Sequence, residues 1–241
     1  MFVKKLSINI LTLYEMFYKG LRRGILIFYA NTFKLLTSKH MRLQKGDSNM
    51  QFQLQFITDE LPQTPVHINQ RTAVRGVIHY QNKILMVQTN RGDYKFPGGG
   101  MEEGETEKET LLREITEETG YTDIHIGVKI GETFEQKIDT EDPESYFQMK
   151  SCYYECWLMS DKRAPGVQDD YEEKLGFHGT FVTVEEAYQS NLSLLKREQK
   201  KMHDFLQKAY IAQMDQKIKE QVTFAPEIPW LERETQVLYK L

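Results

Sequence analysis

Three glutamates constrain this chain more than any other feature. Glu114, Glu117 and Glu118 stand at i, i+3 and i+4 of a helical pattern, so they share one face. Thr106 and Glu109 have the spacing of a capping box, and Gly120 sits where a helix stops, which predicts a helix from about Thr106 to Thr119. Carboxylates this close repel one another, and on an ordinary surface helix they contribute nothing. The crowding becomes sensible if a divalent cation sits among them. Hard oxygen ligands suit Mg²⁺ or Mn²⁺, which take a few carboxylates and complete their shells with water and substrate phosphate. Leu111 and Ile115, with Leu112 nearby, lie on the other side and predict that the helix packs on a sheet.

The residues ahead of the helix fit the same chemistry. The loop Asn90 to Glu105 contains Pro97-Gly98-Gly99-Gly100. Glycines there let the backbone pass close to phosphate and metal, and a glycine carbonyl can add a ligand. Arg113 is the expected partner of Glu105, tying loop to helix.

Elsewhere the pattern alternates between strand and helix. Gln51 to Phe56, Arg71 to Tyr80, Lys83 to Thr89, Ile124 to Phe134, Tyr146 to Met159 and Thr180 to Val184 read as strands, with a hairpin at Gln81-Asn82. Asn191 to about Lys219 reads as a long amphipathic helix whose stripe is Leu192, Leu195, Met202, Phe205, Leu206 and Ala209. A core-facing stripe is the first expectation, and a dimer helix the second. The segment Pro229-Trp230-Leu231-Glu232-Arg233-Glu234 has no evident role in the sequence.

Charge is unevenly spread. Residues 1–49 carry nine Lys or Arg against Glu15 and Asp47, whereas residues 50–241 carry 22 basic and 33 acidic residues. An acidic body argues against broad nucleic-acid binding, which needs basic surface. No run approaches the ~18 apolar residues of a membrane span. Residues 1–49 read as a basic extension, an amphipathic anchor or targeting-like segment, or as no part of the native protein. Met50 opens directly on a strand pattern, and codons for Lys45-Gly46-Asp47 can spell a purine-rich ribosome-binding sequence. The expectation is a translation start at Met50. Cys152 and Cys156, four apart on one strand, place their α-carbons roughly 13 Å apart. A disulfide needs about 7 Å, so two buried thiols in a reducing cytoplasm are expected.

Taken whole, the pattern is Gly99, five residues, Glu105, seven residues, Arg113-Glu114-Ile115, one residue, Glu117-Glu118, one residue, Gly120-Tyr121. It resembles the Nudix box of the Nudix hydrolases, MutT-like and bacterial in type. Tyr121 stands where an aliphatic residue is commoner. Phe96-Pro97-Gly98-Gly99 before the box and Phe181 to Ala187 after it also resemble the family's layout, over roughly residues 70–190. The resemblance implies an α+β fold, an α/β/α sandwich with a central mixed sheet flanked by helices, plus the long C-terminal helix. It divides the chain into an extension (1–49), a Nudix domain (50–190) and a C-terminal helical extension with its tail (191–241).

Carried over position by position, the resemblance implies Glu114, Glu117 and Glu118 as metal ligands, completed by the carbonyl of Gly99 or Gly98. It implies a further acid, a ligand or base, from a later loop, where Glu172 and Glu173 are the candidates. Glu114 is the preferred base if the metal does not claim it fully, with Glu172 or Glu173 next. Arg113, Gly98, Gly99, Gly100 and Phe96 are expected to meet substrate. The implied activity is Mg²⁺- or Mn²⁺-dependent hydrolysis of a diphosphate bond in a nucleoside diphosphate linked to a further group, such as a nucleoside triphosphate or nucleotide sugar. No downstream signature between Glu132 and Glu144 selects ADP-ribose, NADH or dinucleoside polyphosphates. The rivals are removal of pyrophosphate from RNA 5′ ends and a non-catalytic Nudix-fold sensor. The expected setting is cytoplasmic, with a small-molecule nucleotide-like substrate, no nucleic-acid partner and a possible homodimer.

Overall fold

The computed structural model describes residues 50–57, 65, 67–139, 142, 144–164, 174–214 and 227–241. The expectations for residues 1–49, Glu172 and Glu173 lie outside them. The elements are β1 (Phe52–Ile57), β2 (Ile68–Tyr80), β3 (Lys83–Gln88), β4 (Tyr94–Lys95), α1 (Glu107–Thr119), β5 (Ile124–Ile138), β6 (Tyr146–Leu158), β7 (His178–Val182), α2 (Val184–Met214) and α3 (Leu231–Leu238).

All seven strands join one mixed sheet in the order β1-β5-β6-β2-β3-β4, with β7 on β3. β1 pairs parallel with β5 and β2 parallel with β6, while β5–β6, β2–β3, β3–β4 and β3–β7 are antiparallel. β7 runs along β3 from Ile84 to Gln88, so β2 and β4 share its other edge. The hairpin expected at Gln81-Asn82 is present, with Gln81 at φ 53°.

Alternation along the strands sorts the core into two layers. Val74, Ile78, Leu85, Cys152, Tyr154 and Cys156 pack with Leu111 and Ile115 of α1. On the opposite layer, Val77, Met86, Phe96 and Tyr153 pack with Ala187 of α2 and with Val237 and Leu238 of α3. The result is the expected α/β/α sandwich. Both cysteines are buried and unpaired, four residues apart on β6. Among the described residues no helix is long and apolar enough to cross a membrane.

Several boundaries differ from the sequence reading: β2 begins earlier, at Ile68, and β7 at His178. β5 continues to Ile138, because its pairing with β6 persists to Ile138–Tyr146. The last difference is larger. β7 ends at Val182, and the long helix begins at Val184 instead of Asn191. Thr183 and Glu186 form a reciprocal capping box, Thr183 N–H to Glu186 Oε2 at 3.0 Å and Glu186 N–H to Thr183 Oγ1 at 3.2 Å. The division expected at residue 190 therefore falls inside α2. Its buried face is Ala187, Asn191, Leu194 and Glu198, whereas Leu192, Leu195, Met202 and Phe205 are only half-buried. Asn191 belongs inside because its side chain accepts from Tyr94 N–H and donates to Tyr94 C=O, both at 2.8 Å.

Candidate active site

The site grows from two rigid parts, the glycine loop and α1. The loop is laid along β2 by backbone hydrogen bonds. Gly76 N–H donates to Pro97 C=O, Val74 N–H to Gly99 C=O, and Met101 N–H to Thr72 C=O, each at 2.9 Å. Gly98 has φ +137°, and a Cβ there would lie 2.1 Å from Val74 O, so only glycine fits. α1 starts on the predicted capping box of Thr106 and Glu109 and stops at Gly120, which is left-handed with φ 78°. Leu111 and Ile115 anchor it to the sheet, and Leu112 is exposed. Tyr121 keeps its apolar role as an aromatic, packed edge-on against Phe181 with centroids 5.6 Å apart.

This anchoring sets the acids. Glu118 is 3 % exposed. Its carboxylate accepts from Gly98 N–H at 2.8 Å and from Lys95 Nζ at 2.6 Å. Arg113 holds Glu105 with two prongs, at 2.7 and 2.9 Å, and its Nη1 reaches Glu114 at 2.9 Å and Glu117 at 3.1 Å. The Arg113 hydrogen bond, joined by those from Thr110 and the Glu102 backbone, holds Glu105 down to about 2. Burial, then the charge of Glu118, pushes Glu114 above the usual carboxylate value despite Arg113. Among the acids of this site, Glu114 is the one shifted upward, by burial first and then by the charge of Glu118.

Glu105, Glu114, Glu117, Glu118, Arg113 and the three glycines are brought together as expected. Two details differ. Arg113 is not open to substrate, since Nε, Nη1 and Nη2 are occupied by Glu105, Glu114, Glu117 and the Gly100 carbonyl. Phe96 is fully buried, with its ring edge-on to Tyr153 at 5.7 Å, so it cannot stack on a substrate base. It fills the core because it continues the even side of β4, with Tyr94, into the layer beneath α2 and α3.

Divalent-ion fit can be tested on this arrangement. The donors are all hard oxygens. A Cβ at Gly99 would lie 2.3 Å from Glu114 Oε2, so the loop is moulded around that carboxylate. The Gly99 carbonyl, expected as a ligand, accepts the Val74 amide, and that of Gly98 accepts from Arg75 Nη1 at 3.0 Å. Among the described residues no three acidic, His or Cys groups already surround a common point. Arg113 and Lys95 draw the carboxylates to themselves and balance their charge. The donor set fits a divalent ion in its chemistry, and Glu114 and Glu118 would exchange Arg113 and Lys95 for the ion to receive one.

Sequence reasoning missed Lys95, Arg75 and the C-terminal residues around Glu234. Lys95 was legible only as part of a loop, yet its ammonium lies 4.3 Å from the Phe177 ring centroid and 5.8 Å from that of Trp230. A cavity of about 260 Å³ opens beside Glu117 and Glu118, lined also by Arg163, Phe177 and His178. A larger one, about 500 Å³, at His79, Glu155 and Trp157 shares no residue with α1 or the glycine loop, and the chemistry assigns it no part.

Comparison with known proteins gives the following. The NUDIX domain family model matches residues 69–208. An ADP-ribose pyrophosphatase of Methanocaldococcus jannaschii is 38 % identical over 65 residues, 25 % of this chain and 38 % of that protein, so the chain spans well under half of that relative. A crystal structure described as an ADP-ribose pyrophosphatase of Streptococcus suis is 19 % identical, covering 48 % of this chain and 75 % of that one, at a TM-score of 0.33. A NUDIX hydrolase from Nitrosomonas europaea is 20 % identical, covering 51 % of this chain and 78 % of that one, at 0.36.

Proposed function

The chain belongs to the Nudix family, whose domain model spans residues 69–208 of its 241, and from that premise we propose that it is a pyrophosphohydrolase. It cuts the diphosphate bond of a nucleoside diphosphate carrying a further group, with Mg²⁺ or Mn²⁺ as cofactor. The observation that carries this reading is the complete set of box acids, rigidly mounted, with the glycine loop shaped to Glu114. A sensor module has no need of all four carboxylates and their Arg113 tie.

Glu114 and Glu118 would hold the ion, with Glu117 at the more exposed end. When bound, the ion supplies charge neutralisation on the diphosphate oxygens and a more acidic water. The chain's own part is orientation and proton handling. Glu118 is fixed by Gly98 N–H and by Lys95, and releasing its carboxylate frees the Lys95 ammonium to face a phosphate oxygen. Glu114 is the first candidate to accept a proton from the attacking water through whichever of its oxygens the ion does not take. Arg113 keeps Glu105 and the loop in register with α1 and does not touch substrate. Glu172 and Glu173 stay as second candidates for the proton acceptor.

The M. jannaschii relative, described as an ADP-ribose pyrophosphatase, places ADP-ribose first in a panel with nucleotide sugars, nucleoside triphosphates and a 5′-triphosphate RNA. Product release is measured with Mg²⁺ or Mn²⁺ against EDTA. The expected result is ion-dependent release from at least one small nucleotide and a loss of orders of magnitude in Glu118→Gln with unchanged circular dichroism. Near-wild-type turnover in that variant refutes the assignment.

A further inference from the structure

We propose that the C-terminal helix α3 is part of the active-site machinery, with Glu234 acting as a positioning residue for the glycine loop. The proposal deepens the hydrolase reading and rests on it for the loop's purpose. α3 lies beyond residue 208, where the family match ends.

Glu234 is completely buried. Its Oε2 accepts from the Phe96 backbone N–H at 3.2 Å, and its Oε1 accepts from Arg233 Nε and Nη2 at 3.1 and 2.8 Å. Oε1 also faces Arg75 Nε at 3.9 Å. Arg75 in turn donates through Nη1 to the carbonyls of Phe96, at 3.4 Å, and Gly98, at 3.0 Å. Arg233 reaches on to Glu135 of β5 at 2.5 Å. Gly98 is thus held on both sides: the carbonyl of its Gly98–Gly99 peptide accepts from Arg75, and the N–H of the preceding Pro97–Gly98 peptide donates to Glu118. One buried carboxylate on α3 neutralises the arginine that fixes the carbonyl of Gly98, the residue whose N–H orients the proposed metal ligand Glu118.

A second attachment lies one turn earlier. Trp230 Nε1 donates to Asp93 Oδ2 at 2.7 Å, and the Trp230 ring flanks Lys95. The α3 segment therefore grips β4 and the loop at Asp93 and Phe96, on both sides of Lys95. Core filling does not explain this. Leu231, Val237 and Leu238 fill the core with apolar atoms, whereas burying two arginines and a carboxylate is costly and no better for stability than hydrocarbon. Arg75 Nε lacks a hydrogen-bond partner among the described residues, as expected if the guanidinium is placed for the loop carbonyls and not for its own best pairing.

The test compares Glu234→Gln and Trp230→Phe with Val237→Ala, which loosens α3 through the apolar core alone. Amide hydrogen exchange is followed in the metal-free protein, and Mn²⁺ affinity by electron paramagnetic resonance. In Glu234→Gln and Trp230→Phe, the Phe96 and Gly98 amides should exchange faster relative to Val77 and Tyr153 in the sheet centre. Mn²⁺ binding should weaken by about tenfold or more, the usual effect of removing a group that orients a metal ligand. Val237→Ala should accelerate all four amides together and leave Mn²⁺ affinity near wild type. Should Glu234→Gln fail to fold, Trp230→Phe decides alone. Gly98 protection unchanged in the polar variants, or the same selective loss in Val237→Ala, overturns the proposal. The exchange readout needs neither ion nor substrate, so a wild-type protein that cleaves no diphosphate would refute the hydrolase reading and leave the loop-positioning result to stand or fall separately.

Discussion

Gly99→Ala isolates the fit between loop and acid. Gly99 is not in a left-handed conformation, so alanine is compatible with its backbone. The new Cβ would nevertheless lie 2.3, 2.4 and 2.5 Å from Glu114 Oε2, Cδ and Oε1, where ordinary contact begins at 3.4 Å. The carboxylate must therefore retreat by roughly 1 Å, a displacement able to cost about 10²-fold in rate, or ~2.7 kcal/mol on the barrier. The fold should not notice. The clash is with the end of a flexible side chain, and replacing glycine by alanine restricts the unfolded chain, an effect of about 0.4–1 kcal/mol in favour of folding. Two measurements separate the terms: kcat on the best panel substrate at saturating Mg²⁺, and the thermal midpoint in EDTA. The expected pair is a fall of about two orders of magnitude in kcat with a midpoint unchanged or slightly raised. Wild-type kcat would show that Glu114's position does not matter to the reaction, and a collapse of both quantities would show that the clash is absorbed by the backbone.

The neighbouring substitution should behave oppositely. Gly98→Ala meets the Val74 carbonyl at 2.1 Å with a φ alanine rarely adopts, so it should cost at least ~1–3 kcal/mol and lower the midpoint by about 2–12 °C, read by calorimetry. Adding Mn²⁺ at about 100 times its dissociation constant should stabilise the wild type by ~2.7 kcal/mol, and Glu118→Gln should show much less of this shift. Because the folded state raises Glu114, its carboxyl binds a proton more tightly folded than unfolded, so the metal-free protein gains from Glu114 at low pH and loses that gain as pH rises from 4.5 through the folded value. Glu105 runs the other way: its support is present above 4.5 and disappears as pH falls toward 2. Midpoints against pH in EDTA, for wild type and Glu114→Gln, should separate the two.

Local chemistry explains what the sequence revealed. α1 is readable to the residue because both ends close on hydrogen bonds within four positions, Thr106 with Glu109 through their side chains and Gly120 through its backbone N–H to the Thr116 carbonyl. Arg113 and Glu105 were readable because loop and helix adjoin in the chain. The start of α2 carried the same kind of signal in Thr183 and Glu186, and it was overlooked because the β-branched run Thr180 to Val184 suggested that the strand continued. The stripe of α2 was misread for another reason. Leucines at helical spacing imply burial only where something covers them, and here Asn191, a polar residue, takes the inside place by bonding both backbone groups of Tyr94.

The carbonyl assignments and the role of α3 depend on contacts no local pattern encodes. Phe96 and Glu234 are 138 positions apart, and Asp93 and Trp230 are 137 apart. In the sequence, Trp230-Leu231-Glu232-Arg233-Glu234 has no evident role, and adjacent Arg and Glu usually face water. The sheet reverses that reading. β2 carries Arg75 on the layer opposite α1, directly under the glycine loop, and a lone buried guanidinium there requires a counter-charge. With Glu135 on β5 already engaged by Arg233, the carboxylate beside Arg75 is the one that α3 delivers. A box that is complete in sequence is therefore held in shape by residues outside it. A fragment ending at residue 208 would keep every proposed ligand and still lose the group that sets the Gly98 peptide.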